Sequence, residues 1–344
     1  MKQRMLGASG LSVAPIMLGG NVFGWTADET TSFAVLDAFA EGGGDFIDTA
    51  DVYSLWAPGH SGGESEAVIG KWLAARENRS RMVIATKVGL LDGEGGTGLR
   101  ASRIAAACDA SLRRLQTDVI DVYFAHKDDP ETPLEETLGA FDALVKAGKV
   151  RAIGASNYSA QRFAEALAIS DRNGWARFTV MQPNYNLLNR TEYEGALQRI
   201  AIDENIGVVP YYGLASGYLT GKYRTAADLT GPRAEAATAY FEGDGPAMLA
   251  VMDAVAAETG ASLAAIALAW SMAQPGITAP IASASRPEQV AELIAAATLT
   301  LSVEQLARLT TASRLMDRLE DIELAEIVRA RANETPVEVS LDDL

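Results

Sequence analysis

Cysteine is almost missing: Cys108 is the only one among 344 residues. A single thiol excludes an internal disulfide and a cysteine-built zinc site. It stands in an alanine-rich helical stretch, which points to a buried, inert side chain rather than a nucleophile. Histidine is nearly as scarce. With only His60 and His126, a His-rich hydrolytic zinc centre is excluded as well. Basic residues are outnumbered, 29 Lys and Arg against 45 Asp and Glu, for a net charge of −16. Such a chain repels nucleic acid and anionic lipid over most of its surface, so neither is expected as a partner. A small-molecule substrate remains compatible, because a local basic pocket survives a negative total. Long apolar runs are also lacking. None is long enough to span a bilayer, and the opening MKQRMLGASGLS lacks the apolar core of a signal peptide. A cytoplasmic location is the expectation. No composition shift or low-complexity linker divides residues 1–344, so a single domain is expected. Oligomeric state is not legible.

What is present is a regular alternation. Apolar residues make up 48% of the chain, enough for a sizeable core. Short apolar runs at Pro15–Gly19, Asp45–Asp48, Met82–Lys87, Val119–Ala125, Val150–Gly154, Thr179–Gln182, Gly207–Tyr211 and Ile277–Ile281 read as strands. Amphipathic segments lie between them: Glu29–Glu41, Glu64–Ala75, Ser102–Leu115, Leu134–Lys146, Ala160–Arg172, Thr191–Glu204, Ala247–Thr259 and Pro287–Ala297. The strands are apolar throughout, as in a parallel sheet buried on both faces. Eight such units predict closure into a (β/α)8 TIM barrel, with an open doubly wound sheet as the alternative. Three pieces stand outside the repeat. Residues 1–14 predict a β-hairpin cap over one barrel end. Residues 213–246, rich in Gly, Thr and Ala, predict a long binding loop or lid. Residues 302–344 predict extra C-terminal helices (Val303–Thr311 and Arg318–Arg331) and an acidic tail, Ser340–Leu344.

In a parallel barrel the working residues sit at the C-terminal strand ends. The second strand ends at Asp48 and is followed by Tyr53; the third ends at Lys87, the fourth at His126, the fifth at Ser156 and Asn157, the sixth at Gln182 and the seventh at Tyr211. An acid, a cation, an imidazole and a phenol on one rim suit carbonyl chemistry. A carbonyl that accepts hydride develops charge on oxygen and needs a proton. A tyrosine gives one, a lysine ammonium lowers the phenol's pKa, an aspartate holds the lysine, and a histidine hydrogen-bonds the same oxygen. Each residue has a plain alternative, such as an aspartate capping a helix or a lysine reaching solvent. Four together on consecutive strands outweigh it.

These residues carry a resemblance to the aldo-keto reductase family. FIDTADVY (Phe46–Tyr53) resembles its Asp-Thr-Ala-x-x-Tyr signature, VIATK (Val83–Lys87) its lysine strand and DVYFAH (Asp121–His126) its histidine strand. IGASN (Ile153–Asn157) and QPNYN (Gln182–Asn186) resemble the segments that hold a nicotinamide amide, and RMLGASGLSVAPIMLGG resembles the N-terminal hairpin and first strand. The similarity spans roughly residues 4–315. It implies an oxidoreductase using NADP(H), with NAD(H) as the second choice. It implies Tyr53 as general acid, tuned by Lys87 and Asp48, with His126 orienting the carbonyl of an aldehyde, ketone, or sugar- or steroid-like substrate. It implies that Ser156, Asn157 and Gln182 bind the carboxamide and that Tyr211 stacks on the nicotinamide. Leu214 and Ser216 would follow the pyrophosphate, Ser283, Ser285 and Arg286 the adenosine phosphate, and Gln289 and Glu292 the adenine. Arg286 also opens a helix, where anions are favoured. A second function that the resemblance implies is an NADPH-binding regulatory subunit with little turnover.

The chain departs from the family in places. A longer segment, SLWAPGHSGGESE, follows Tyr53; Leu293 stands where an Asn is common; and IASASRPEQ lacks the lysine of some members. Trp25, Trp56 and Tyr185 are candidates for the substrate pocket, with packing under loops as the alternative. Two motifs read as decoys. Gly93–Gly98 fits G-x-G-x-x-G, but Gly93 stands too far past Lys87 and the helix starts only near Ser102, so a flexible loop is expected. Tyr218-x-x-x-Lys222 resembles a dehydrogenase Tyr-Lys pair but is followed by more loop.

Overall fold

The fold is that of a computed structural model, which describes residues 1–314. The expected helix at Arg318–Arg331 and the tail at Ser340–Leu344 lie outside the described residues. The N-terminal hairpin forms as expected: β1 (Arg4–Met5) pairs antiparallel with β2 (Ser12–Val13). Eight parallel strands follow: β3 (Met17–Gly19), β4 (Phe46–Asp48), β5 (Val83–Val88), β6 (Ile120–Ala125), β7 (Val150–Ser156), β8 (Phe178–Gln182), β9 (Gly207–Val208) and β10 (Ile281–Ala282). Neighbours pair in chain order, and β10 returns to pair with β3. On its other side the 277–282 segment bonds to the β9 segment, through Thr278 N to Val208 O and Ile281 N to Pro210 O, each at 2.8 Å. The sheet thereby closes into the (β/α)8 barrel.

Helices α1 (Glu29–Glu41), α2 (Glu64–Arg76), α3 (Ala101–Leu115), α4 (Leu134–Lys146), α5 (Ala160–Asn173), α6 (Ala196–Asp203), α7 (Ala234–Glu242), α8 (Gly245–Thr259), α9 (Leu263–Met272) and α10 (Pro287–Ala296) form the outer layer. Residues 303–314 are helical as well. Side-chain oxygens of Asp28, Ser159 and Ser262 cap α1, α5 and α9, each accepting from the backbone N–H three residues on. No single helix among the described residues is long and apolar enough to cross a membrane.

Strand side chains alternate between two cores, and this alternation builds the site. Ile47, Ile84, Tyr123, Ile153 and Met181 face the helices in one large cluster. Phe46, Ala85, Val122, Phe124 and Val180 fill the barrel interior in another. Two residues beyond the inward Phe46, Ala85, Phe124 and Val180 stand Asp48, Lys87, His126 and Gln182, so the same period delivers them to the inside of the rim. Leu6 of the hairpin closes the opposite end and is fully buried in the inner cluster. At that end Gly7, with φ +52°, lies so close to β9 that a Cβ there would meet Gly207 N at 2.2 Å. On β7, a Cβ at Gly154 would meet the Phe124 ring at 2.6 Å, so the missing side chain makes room for that ring.

Four elements differ from the sequence expectations. The helix expected over Thr191–Glu204 is confined to α6, because Gly195 at φ +93° breaks it and the buried Arg190 ties the preceding turn to Glu194 and Thr310 O. The last strand pairs at Ile281–Ala282 rather than over Ile277–Ile281. Pro280 has no N–H, and residues ahead of it bond to the β9 side instead. Helix α9 was not expected, since LAAIALAWSM is buried from Ala264 to Met272 and shows no polar face. Residues 213–246 are not one open loop: they hold 3₁₀ turns at Ala215–Thr220 and Ala226–Asp228, and α7.

Candidate active site

At the rim Lys87 is fully buried, and its ammonium uses all three hydrogens. It donates to Asp48 at 2.7 Å, to Thr49 O at 2.9 Å and to Tyr53 Oη at 2.8 Å. Tyr53 Oη in turn donates to Asp48 Oδ2 at 2.9 Å, and Gln182 Nε2 donates to Asp48 Oδ1 at 3.0 Å. Asp48 thus gathers the lysine, the phenol and the amide around one carboxylate. The Tyr53 and His126 rings stand edge to face, with centroids 6.1 Å apart.

The electrostatics follow from burial. Desolvation pushes Lys87 below the usual lysine range, against the pull of Asp48. Tyr53 is raised well above the usual tyrosine value, by desolvation first and the Asp48 charge second. The phenol therefore keeps its proton near neutral pH, and the Lys87 ammonium on the same oxygen is the neighbour that works against this rise. His126 is driven well below its usual value by desolvation and then by Lys87, so its imidazole is neutral near pH 7. His126 Nδ1 is buried without a partner among the described residues.

The next two strands supply an amide platform. Asn157, at φ +55°, donates through Nδ2 to His126 O at 2.9 Å and to Ser156 Oγ at 3.0 Å. Its Oδ1 accepts from Tyr211 Oη at 2.8 Å, and Ser156 Oγ donates to Gln182 O at 2.8 Å. These groups lie along a cavity of about 670 Å³ that runs from Trp56 and Tyr53 past Asn157, Tyr211, Leu214 and Ser216 to Ser283, Ser285 and Gln289. Its wall is locally strained. Tyr212 and Ser216 in it, and the buried Ala215 behind it, all adopt positive φ, which costs about 1–3 kcal/mol each. At the far end Gln289 Oε1 accepts from Ser285 N at 2.8 Å, and Ser283 Oγ donates to Asn21 Oδ1 at 2.6 Å.

Not every expected residue joins it. Tyr185 does not: it is fully buried in the core, stacked on Trp270, with its hydroxyl donated to Glu194 at 2.7 Å. Trp25 stands behind Trp56 in an edge contact at 5.6 Å rather than in the cavity wall. Arg286 and Glu292 are exposed and line no part of the cavity, while Leu293 is a core residue. Gly93–Gly98 forms a tight turn joined by Gly93 and Gly96, away from the cavity.

The structure adds two residues not expected from sequence. Lys222 and Arg233 both line the cavity, and neither pairs with a carboxylate among the described residues. Desolvation lowers the Arg233 pKa. Lys222 was visible only as part of a discounted motif. Arg233 has no local signature, because it reaches the cavity through the fold of the segment leading into α7.

The comparisons with known proteins agree with this architecture. The family model described as "Aldo/keto reductase family" matches residues 15–314. The chain is 35% identical to an uncharacterised oxidoreductase, YrpG, of Bacillus subtilis (strain 168), over 90% of this chain and 95% of that protein. It is 32% identical to a probable voltage-gated potassium channel subunit beta of Arabidopsis thaliana, over 85% of this chain and 90% of that protein. It is 31% identical to versiconal hemiacetal acetate reductase of Aspergillus parasiticus, over 89% of this chain and 95% of that protein.

Proposed function

The chain belongs to the aldo/keto reductase family, a family of nicotinamide-dependent oxidoreductases, and from that premise we propose that it reduces a carbonyl to an alcohol, or the reverse, with Tyr53 as the proton donor. One observation carries the reading: the Tyr53 hydroxyl is bonded by both Lys87 and Asp48 at the wall of a large cavity. A bound nicotinamide supplies the hydride. The chain's residues do the rest. Tyr53 Oη gives its proton to the carbonyl oxygen as charge builds there, since an alkoxide is a far stronger base than a phenolate. Lys87 Nζ, already on that hydroxyl, stabilises the phenolate left behind. Asp48 holds Lys87, and the neutral His126 orients the carbonyl.

The cavity fits such a cofactor. Ser156, Asn157 and Gln182 offer amide-matching groups beside the Tyr211 ring. Lys222 and Arg233, cations without carboxylate partners, suit a diphosphate, and segment 213–246 is read as its cover. Ser283, Ser285 and Gln289, around the start of α10, line the far end of the cavity and suit an adenosine phosphate, which is the basis for reading NADP(H) ahead of NAD(H); Arg286 stands outside that wall. Trp56, beside Tyr53, and Leu90 line the cavity as exposed apolar side chains. That wall favours a largely apolar substrate.

The channel-subunit relative supports a second reading, a nicotinamide-binding partner protein with little turnover. NADPH oxidation followed at 340 nm across aldehydes, ketones and quinones decides between the two. Turnover supports the enzyme; tight NADPH binding without turnover supports the partner.

A further inference from the structure

Two residues ahead of Tyr53 stands a carboxylate that the reaction scheme leaves unused. Asp51 is fully buried, and its backbone N–H donates to Lys87 O at 3.2 Å, stitching the turn that bears Tyr53 to the end of β5. Its Oδ2 accepts from Arg103 Nη2 at 3.2 Å, while its Oδ1 has no partner among the described residues. Arg103, itself buried, also donates to Leu91 O at 2.9 Å and Glu94 O at 3.1 Å. Both carbonyls belong to the loop after β5, which carries the cavity-lining Leu90.

We propose that Asp51 is a positioning residue for the Lys87–Tyr53 pair and for the loop after β5, acting through its charge and its contact with Arg103. The kinetic side of this inference rests on the carbonyl-reduction reading. The groups that face Asp51 come from four elements: Glu66 on α2, Arg103 and Arg114 on α3, Lys87 on β5 and Tyr123 on β6. Glu66 is already engaged, accepting from Thr86 Oγ1 at 2.6 Å and Arg114 Nε at 2.7 Å, so Arg103 is the partner left to Asp51. Ionised, Asp51 holds Arg103 firmly and supports the Lys87 ammonium, as Glu66 does. Protonated, it does neither well. Burial, and then the Glu66 charge, push Asp51 up to about 7, so the two forms exchange across the neutral range.

The test compares the chain with Asp51→Asn, which mimics the protonated form in shape. The ratio of kcat/KM, native over variant, should rise from near one at about pH 5.5 to about tenfold at about pH 8.5. Its midpoint should lie near 7. A merely structural role would lower the variant by one factor at every pH, and that result overturns the proposal. Arg103→Gln removes the counter-charge and should move the native midpoint upward; an unmoved midpoint also overturns it. If Asp51→Asn fails to fold, the midpoint is read directly from the kcat/KM–pH profiles of the native chain and Arg103→Gln.

A readout free of activity separates this inference from the reaction. Because the folded Asp51 value lies above its unfolded one, native stability relative to Asp51→Asn should fall as pH rises from about 4 to about 7, then level off. A difference that stays flat removes the proton from Asp51. Absence of any turnover, with the pH-dependent difference intact, refutes the reaction and leaves the proton on Asp51.

Discussion

Lys87 Nζ lies 2.8 Å from Tyr53 Oη and 2.7 Å from the Asp48 carboxylate, so one buried ammonium joins the proposed proton donor to its anchor. Replacing it by methionine keeps the volume and removes the charge. Lys87→Met should lower kcat by roughly 10²–10⁴-fold while NADPH affinity changes little. It also leaves Asp48 buried without its cation, at about 3–5 kcal/mol of stability. Steady-state kinetics with a fluorescence titration of NADPH checks the first part, and urea unfolding the second.

The two cations of the phosphate half should separate from the chemistry in the opposite sense. Lys222→Ala and Arg233→Ala should each weaken NADPH binding by roughly 10–100-fold, the range for one charge-assisted contact. At saturating cofactor, kcat should stay within about threefold of native. A kcat loss without a binding loss would move both residues out of the proposed phosphate site.

Two aromatic residues proposed together for the pocket should now behave differently. Trp56 is 48% exposed and lines the cavity, so Trp56→Ala should raise KM for apolar aryl carbonyls by about tenfold. Tyr185 lies in the core on Trp270. Tyr185→Phe should leave KM unchanged and cost about 1 kcal/mol of stability through the lost bond to Glu194. A substrate panel and thermal unfolding distinguish the two.

Burial pushes the Cys108 thiol up to about 12. At pH 8 almost none of it is thiolate, and the side chain is fully covered. A thiol reagent should label it only in denaturant. Rapid labelling of the folded chain, or loss of turnover on labelling, would contradict its inert role.

Much of this was legible in the sequence, and the reason is geometric. Strand period and strand order are local properties, and they bring Asp48, Lys87, His126 and Gln182 to one rim. Residues that depend on how distant segments return were not legible. Arg233 reaches the cavity only through the fold of 213–246, and Tyr185 stands in a motif whose first residue, Gln182, lines the cavity while its own ring turns into the core. Helix α9 escaped because a helix buried on every side shows no periodicity. The net direction of the Tyr53 pKa is not legible for a related reason. Sequence names the charged neighbours, but the direction depends on how thoroughly the fold removes water from them.

The most direct measurement is NADPH oxidation by native chain and Tyr53→Phe, side by side, on the carbonyl panel. The account predicts turnover by the native chain, a loss of at least about 10²-fold in the variant, and equal NADPH affinity in both. Turnover that survives the substitution would contradict the assignment of Tyr53 as proton donor.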